Sequence, residues 1–392
     1  MRITKRQFLK TLALSAASAA VARDGVAAMQ ADAPKRYAMG VIPPKYWIWI
    51  PPDEKKSVDD WKRDLAQMRA AGIKAIVPEI YDGRHAWFPS QRLPVKTDLL
   101  GRLLPLAKAE GLEVHAWMWT MPCMVESVMK QHPDWYNVNA KGESAVDKPA
   151  YVDYYKFLDP ARPEVREFVQ GTVRELAAIG ELTGVHLDYV RHPDAILPKS
   201  LWPKYNIDQS VVHPQFDYGY TPYAREAFKK AHGIDPMTIK DPTSHRAWMQ
   251  YRFDAVTGLV NDFLVPAAHA KQKQITAAVF PGPSLARDMV RQDWGRWKLD
   301  AFLPMLYHTF YEADPSWVTR YTKEAVSTVR VPVYSGIFAH ALNASELSAT
   351  IAAAKAGGAY GVSLFSAGGM DDAKWQAFRA ATQGGSKWAG SS

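Results

Sequence analysis

The stretch YWIWIPPDEKKSVDDWKRDLAQMRAAGIKAIVPEIY, residues 46–81, contains a whole strand, helix and strand. Its two ends, YWIWI (46–50) and KAIVPEIY (74–81), are short apolar runs rich in β-branched and aromatic residues, the composition of strands covered on both faces. Between them SVDDWKRDLAQMRAAG (57–72) changes to helical spacing, with Ser57 placed as N-cap and Gly72 closing the segment. A strand, an amphipathic helix and a second strand make the unit from which parallel sheets are built.

The unit recurs as far as residue 382. Further strands are predicted at LEVHAWMW (112–119), GVHLDYV (184–190), QITAAVF (274–280), AFLPMLYH (301–308), VPVYSGIF (331–338) and GVSLFSA (361–367), which brings the count to eight. NASELSATIAAAKAGG (343–358) is another helix of the series, capped by Asn343 and stopped by Gly357. Eight such units predict an α/β fold of the (β/α)8 TIM-barrel kind, as a single domain over residues 36–382. An open doubly wound sheet is the competing architecture; the eightfold count and the lack of a Gly-rich first turn speak against it. Two connections are long, about residues 121–163 after strand three and 191–242 after strand four. Both leave the carboxyl ends of strands, the face on which barrels carry their sites, so these insertions are expected to wall a cleft.

The ends of the chain and its composition bound the rest. MRITKRQFLK (1–10) sets four basic residues ahead of the small apolar run TLALSAASAAVA (11–22), the pattern of a signal peptide over residues 1–28. TKRQFLK (4–10) resembles a twin-arginine signal with Lys5 in place of the first arginine, and the ordinary secretory route stays open. The run falls short of the roughly 20 apolar residues a spanning helix needs, so a periplasmic or secreted location without a lasting membrane span is expected. Cleavage near Ala28 removes Arg2, Lys5, Arg6, Lys10 and Arg23 together with Asp24, which takes the formal charge from +8 to about +4. The remaining basic residues are scattered, which argues against a nucleic-acid partner. Cys123 is the only cysteine and excludes both an intrachain disulfide and a cysteine-based zinc site. The Gly/Ser-rich end, residues 383–392, is expected to be a flexible tail. Fourteen tryptophans and eighteen tyrosines offer flat rings with a polar edge, which suit stacking on sugar faces as well as a tryptophan-rich core.

The fourth strand, within GVHLDYVRHP (184–193), carries the chemistry. An ionised Asp188 inside a covered strand would cost several kcal/mol unless paired or open to a cleft, and at a carboxyl end that cost falls away. Alternation puts His186, Asp188 and Val190 on one face and Val185, Leu187 and Tyr189 on the other, with the polar set expected to look into the barrel mouth. Arg191 follows, able to hold that carboxylate or a substrate hydroxyl; a salt bridge between Asp188 and Arg191 that merely pins the loop is the plainer alternative. Trp47 and Trp49 on strand one, His115, Trp117 and Trp119 on strand three, and Tyr307 and His308 after strand six complete an expected aromatic cup, with Tyr189 at its wall. His115, His308 and Asp188 show no metal-ligand spacing, so neither metal nor other cofactor is expected.

GVHLDYVRHP resembles the strand-four motif of the glycosyl hydrolase-like 10 family, bacterial exported barrel proteins. The likeness extends in order through GLEVHAWMWT (111–120), QHPDWYNVNAKGES (131–144), FLDPARPEVREFV (157–169) and FLPMLYH (302–308), over most of residues 40–370. The resemblance implies hydrolysis or binding of a glycan, so that a polysaccharide or oligosaccharide is the expected partner, with peptidoglycan-type and other amino-sugar polymers among the family's substrates. Two departures stand out: His192 where members often have tyrosine, and YDGRHAWFPS (81–90), with Arg84 and His85, in place of a Gly-Asp-Ala pattern.

A glycosidase needs a proton donor and, as a rule, a second carboxylate. Asp188 supplies one, and Glu79 near the end of strand two is the expected partner, with Asp82 as substitute if Glu79 is held in a structural pair. An N-acetyl group of the substrate acting as nucleophile would remove the need for a second acid. Three functions follow: an exported glycoside hydrolase, a noncatalytic carbohydrate-binding barrel, and a metal-dependent deacetylase, the last without ligand spacing to support it.

Overall fold

The computed structural model describes residues 44–383 and Trp388. The expected signal peptide, residues 1–28, lies outside the described residues, as does most of the expected flexible tail. Trp388, within that tail, is buried, with its ring 5.8 Å from that of Tyr46.

Eight parallel strands form the barrel: β1 (Trp47–Ile50), β2 (Ala75–Tyr81), β3 (Glu113–Trp119), β4 (Gly184–Asp188), β5 (Gln274–Val279), β6 (Ala301–Pro304), β7 (Ser335–Phe338) and β8 (Val362–Phe365). They run β6-β5-β4-β3-β2-β1-β8-β7. The seam between β6 and β7 closes through single bridges, Phe302 to Val333 and Met305 to Gly336, with Tyr334 N–H donating to Phe302 O at 2.9 Å. Pro332 and Pro304 remove two donors from this seam, which shortens both strands against their predicted extents. Gly336 lets the strands meet there, because a Cβ on it would stand 2.7 Å from the Pro304 carbonyl oxygen.

The first helix, Val58–Ala70, begins with a capping box: Ser57 Oγ accepts from Asp60 N–H, and the Asp60 carboxylate accepts from Ser57 N–H. Its buried face is Trp61, Leu65 and Met68, laid on the sheet at helical spacing. Asn343 and Glu346 make the same reciprocal cap on the helix Ala344–Ala356. Ridge-forming aliphatic and aromatic side chains between strands and helices build the main core. A second cluster, with Trp47, Trp49, Val77, Trp117 and Leu303 among its members, fills the barrel interior.

The two long connections leave β3 and β4 at their carboxyl ends, as their positions in the sequence predict, and they are joined to each other. Asn139 bridges Tyr218, and Gly219 and Tyr220 N–H groups both donate to Val138 O, at 3.1 and 2.9 Å. Behind that seam Asp217 is buried between Arg252 and Arg291, at 2.5 and 2.9 Å, and accepts from the Tyr220 hydroxyl at 2.7 Å. Burial pushes the Asp217 carboxyl upward, but the two guanidiniums overcome it and hold it down at about 2. Arg252 is thereby committed to the scaffold and not to the cleft.

Gly361 precedes β8 with φ at +148°, and a Cβ there would fall 1.9 Å from the Lys45 carbonyl oxygen. Gly361→Ala is expected to lower the unfolding free energy by about 2–3 kcal/mol through strain and displacement of β1. Urea unfolding followed by tryptophan fluorescence measures it, and the slope with denaturant should stay as in the parent protein.

Candidate active site

β4 ends at Asp188 because Tyr189 takes a left-handed conformation, φ +50°, rare for a bulky side chain. That single residue breaks the strand's alternation. The predicted pattern placed Tyr189 on the face opposite Asp188 and Val190 on the same face. Instead Tyr189 lines the cleft beside Asp188, and Val190 joins the outer core. The turn also aims Tyr189 N–H at Asp188 Oδ1, 2.7 Å away. The second oxygen, Oδ2, accepts from the indole N–H of Trp117 at 3.0 Å. Asp188 is 8% exposed and lies on the wall of a cleft of about 370 Å³. Burial raises its carboxyl to about 6, against the opposing pull of the Tyr189 amide, Arg191 and Trp117.

Glu79 stands two strands away, at a register shift in the β2–β3 ladder between Glu79 and Tyr81. Its Oε2 accepts from the Trp119 indole at 3.1 Å. Burial, then the nearby charges of Asp82 and, more weakly, Asp188, push it up to about 8, while Trp119 pulls it down. At neutral pH Glu79 therefore keeps its proton while most of Asp188 is ionised. Two acids whose environments separate their proton affinities are what acid/base chemistry requires. Glu79 is not on the cleft wall that Asp188 occupies; Trp119 packs between, its ring 4.8 Å from Tyr189 and 5.4 Å from Tyr154. Asp82 caps the turn after β2, its Oδ1 accepting from the amides of Arg84 and His85 at 2.8 and 2.7 Å.

Of the predicted site residues, the structure gathers Asp188, Tyr189, Arg191 and Tyr307 on the cleft, with Trp117 and Trp119 bonded directly to the two carboxylates. The plain salt bridge between Asp188 and Arg191 does not form: Arg191 Nη1 donates to Asp194 Oδ2 at 2.6 Å. Four expectations need correction. Trp47 pairs with Ala75, the first residue of β2, and His115 with Gly184, the first of β4, so both sit at the amino end of the barrel. His115 is fully buried there with Nε2 3.2 Å from Glu113. Trp49 lies beneath the site, donating to His186 Nε2 at 3.2 Å, while His186 Nδ1 meets Thr276 Oγ1 at 2.8 Å. His308 turns away, with Asp314 and Glu346 as its charged neighbours. Parity along a strand tells inside from outside; depth along the barrel axis follows from register, which these positions do not announce.

Several cleft residues escaped the sequence reading. Phe280, Phe338 and Phe365 are the aromatic residues at or just past the ends of β5, β7 and β8, and that shared position was a usable signal. Tyr154 and Tyr155 come from the first insertion, where no periodicity marks them. Asp194 was signalled only by standing three residues after Arg191. Among the described residues no group of three or more His, Cys, Asp or Glu side chains is arranged to hold a metal, and no helix is long and apolar enough to cross a membrane.

A closed parallel barrel with its cleft at the carboxyl ends of the strands is an architecture shared with glycoside hydrolases. The structure is similar to the PgaB (BpsB) glycoside hydrolase domain from Bordetella bronchiseptica, at 14% identity and a TM-score of 0.64 over 86% of this chain and 99% of that one. It is similar also to the catalytic domain of β-amylase from Paenibacillus polymyxa, at 11% identity and a TM-score of 0.61 over 86% and 97%. Identities this low speak for the fold alone, and no curated protein matches the sequence. The chain belongs to the Glycosyl hydrolase-like 10 family, whose model matches residues 64–351.

Replacing Trp117 by phenylalanine removes one of the two donors that stabilise the ionised form of Asp188. The carboxyl should then titrate about one unit higher, since a hydrogen bond to a buried charge contributes on the order of 1.5–3 kcal/mol. Carbon-13 NMR of aspartate-labelled protein reads the midpoint directly; an unchanged value would show that the indole does not set it.

Proposed function

We propose that the protein is an exported glycoside hydrolase that cleaves a glycosidic bond in a polysaccharide or peptidoglycan-type glycan, with Asp188 as its central catalytic carboxylate. The observation that supports this best is Asp188 itself: a carboxylate on the wall of an aromatic cleft, oriented by two fixed donors and raised to about 6. Cleavage transfers a proton to the leaving oxygen, while the hydroxyl of water adds to the anomeric carbon and its remaining proton passes to a base. Glu79, protonated up to about pH 8 and bonded to Trp119 behind the cleft wall, is the acid that supplies a proton through a bridging water, and Asp188, ionised above about 6, the group that receives one or stabilises the oxocarbenium ion. The rings of Tyr189, Tyr307 and Phe365 offer surfaces against which a sugar can stack. Export to the periplasm or beyond follows from the expected signal peptide and belongs to the same proposal.

In this division of roles activity rises as Asp188 loses its proton near pH 6 and falls as Glu79 loses its own near pH 8, which gives a bell-shaped profile. The two limbs belong to the interacting pair, so Glu79→Gln should abolish the alkaline limb and lower turnover by about 100-fold or more. Asp188→Asn should reduce release of reducing ends from glycan by a factor of about 10³ or more while the fold is retained. Turnover that survives Asp188→Asn would overturn the assignment.

A second reading has its own observation. Among the described residues the cleft wall carries two carboxylates, Asp188 and Asp194, and the second is locked to Arg191. A noncatalytic carbohydrate-binding barrel would need no more than this. It predicts saturable glycan binding with no new reducing ends on long incubation, and any product that depends on Asp188 excludes it.

A further inference from the structure

Arg191 follows Asp188 by three positions and shares its cleft, yet its cation is turned to another acid. Nη1 donates to Asp194 Oδ2 at 2.6 Å and to His192 O at 3.3 Å. The guanidinium is boxed by aromatic rings, its carbon 4.9 Å from the centre of Tyr189 and 5.0 Å from that of Phe280. Arginine and aspartate are 5% and 2% exposed, so water screens neither. The Tyr155 hydroxyl also interacts with the guanidinium, whose buried Nε has no hydrogen-bond partner. A guanidinium with an unused donor, on the same cleft as Asp188 and with its charge already felt there, is an ion-pair partner for that carboxylate.

We infer that Asp194 is a positioning residue for the reaction: it engages and neutralises Arg191, so that Asp188 faces a charge-balanced pair instead of a lone guanidinium that would capture it. The inference deepens the glycosidase reading and, for its effect on turnover, rests on it. The sign follows from the charges that face Asp188. From β2 comes Glu79, protonated at neutral pH; from the loop after β4 come Arg191 and Asp194; the other titratable groups on the cleft are the phenols of Tyr154, Tyr155, Tyr189, Tyr307 and Tyr311, all pushed above their ordinary range by burial. The cleft residues at the ends of β5, β7 and β8 are phenylalanines and carry no charge. Arg191 is the only cation in this set, and Asp194 the only anion that offsets it.

Asp194→Asn keeps an oxygen to accept from Arg191 and removes the charge alone. The Asp188 carboxyl should then titrate lower by about one unit or more, as carboxylates beside an unpaired arginine do, and the acid limb of activity should move with it. Arg191→Gln should shift the midpoint the other way, and the double variant, which deletes both charges, should return it close to the parent value. Carbon-13 NMR titration reads Asp188 without any substrate, with Asp188→Asn identifying its signal, so the inference stands or falls independently of glycan cleavage. An Asp188 midpoint that stays in place in Asp194→Asn, or that shifts in the same direction in both single variants, overturns it. Shifts of opposite sign in an inactive protein would uphold it and count against the glycosidase reading instead.

Discussion

A carboxylate that is 8% exposed survives at the rim of this barrel because both of its oxygens meet donors that cannot move. One is the Trp117 indole, projected from the neighbouring strand in a core of rings; the other is a backbone amide fixed by the left-handed Tyr189. Burial costs the ionised form enough to lift the carboxyl to about 6, and the two donors return part of that cost. The strained residue that aims the amide also ends β4 and swings its own ring into the cleft. Strain of this kind persists only where its surroundings enforce it, and at Tyr189 it falls beside the proposed reacting group.

The surroundings that enforce it are the two insertions. Each alone would be a long loop without a core. Joined along the Asn139–Tyr218 bridge and nailed down by the buried Asp217, Arg252 and Arg291 cluster, they become a rigid wall. Buried charge of this sort adds little net stability, but it penalises any arrangement that leaves one partner unpaired, and so specifies a single geometry. Tyr154, Tyr155 and Asp194 reach the cleft from this wall, whereas Asp188 reaches it from the barrel, with Trp117 bonded to it from the neighbouring strand. A site built at such a junction places first-rank chemistry on strands and adjustable recognition on loops.

The same division explains the unequal treatment of Glu79 and Asp188. A register shift between β2 and β3 sets Glu79 behind Trp119 and beside Asp82, whose charge adds to burial, and its proton is held to about pH 8.

By itself the sequence determined the eight-unit barrel, the two insertions and the carboxyl-end position of Asp188, because hydrophobic period, caps and breaker residues are local properties that survive any tertiary arrangement. Parity along the strands also told which side chains enter the barrel: Trp47, Trp49, His115 and Trp117 all do. Only the folded structure decided their depth. Trp47 and His115 sit at the amino end and Trp117 touches the carboxylate, since height along the axis depends on how neighbouring strands are staggered, a nonlocal quantity. The placing of Glu79 behind Trp119 and the tyrosines of the first insertion were likewise settled by contacts between distant segments, which no spacing along a single strand or loop encodes.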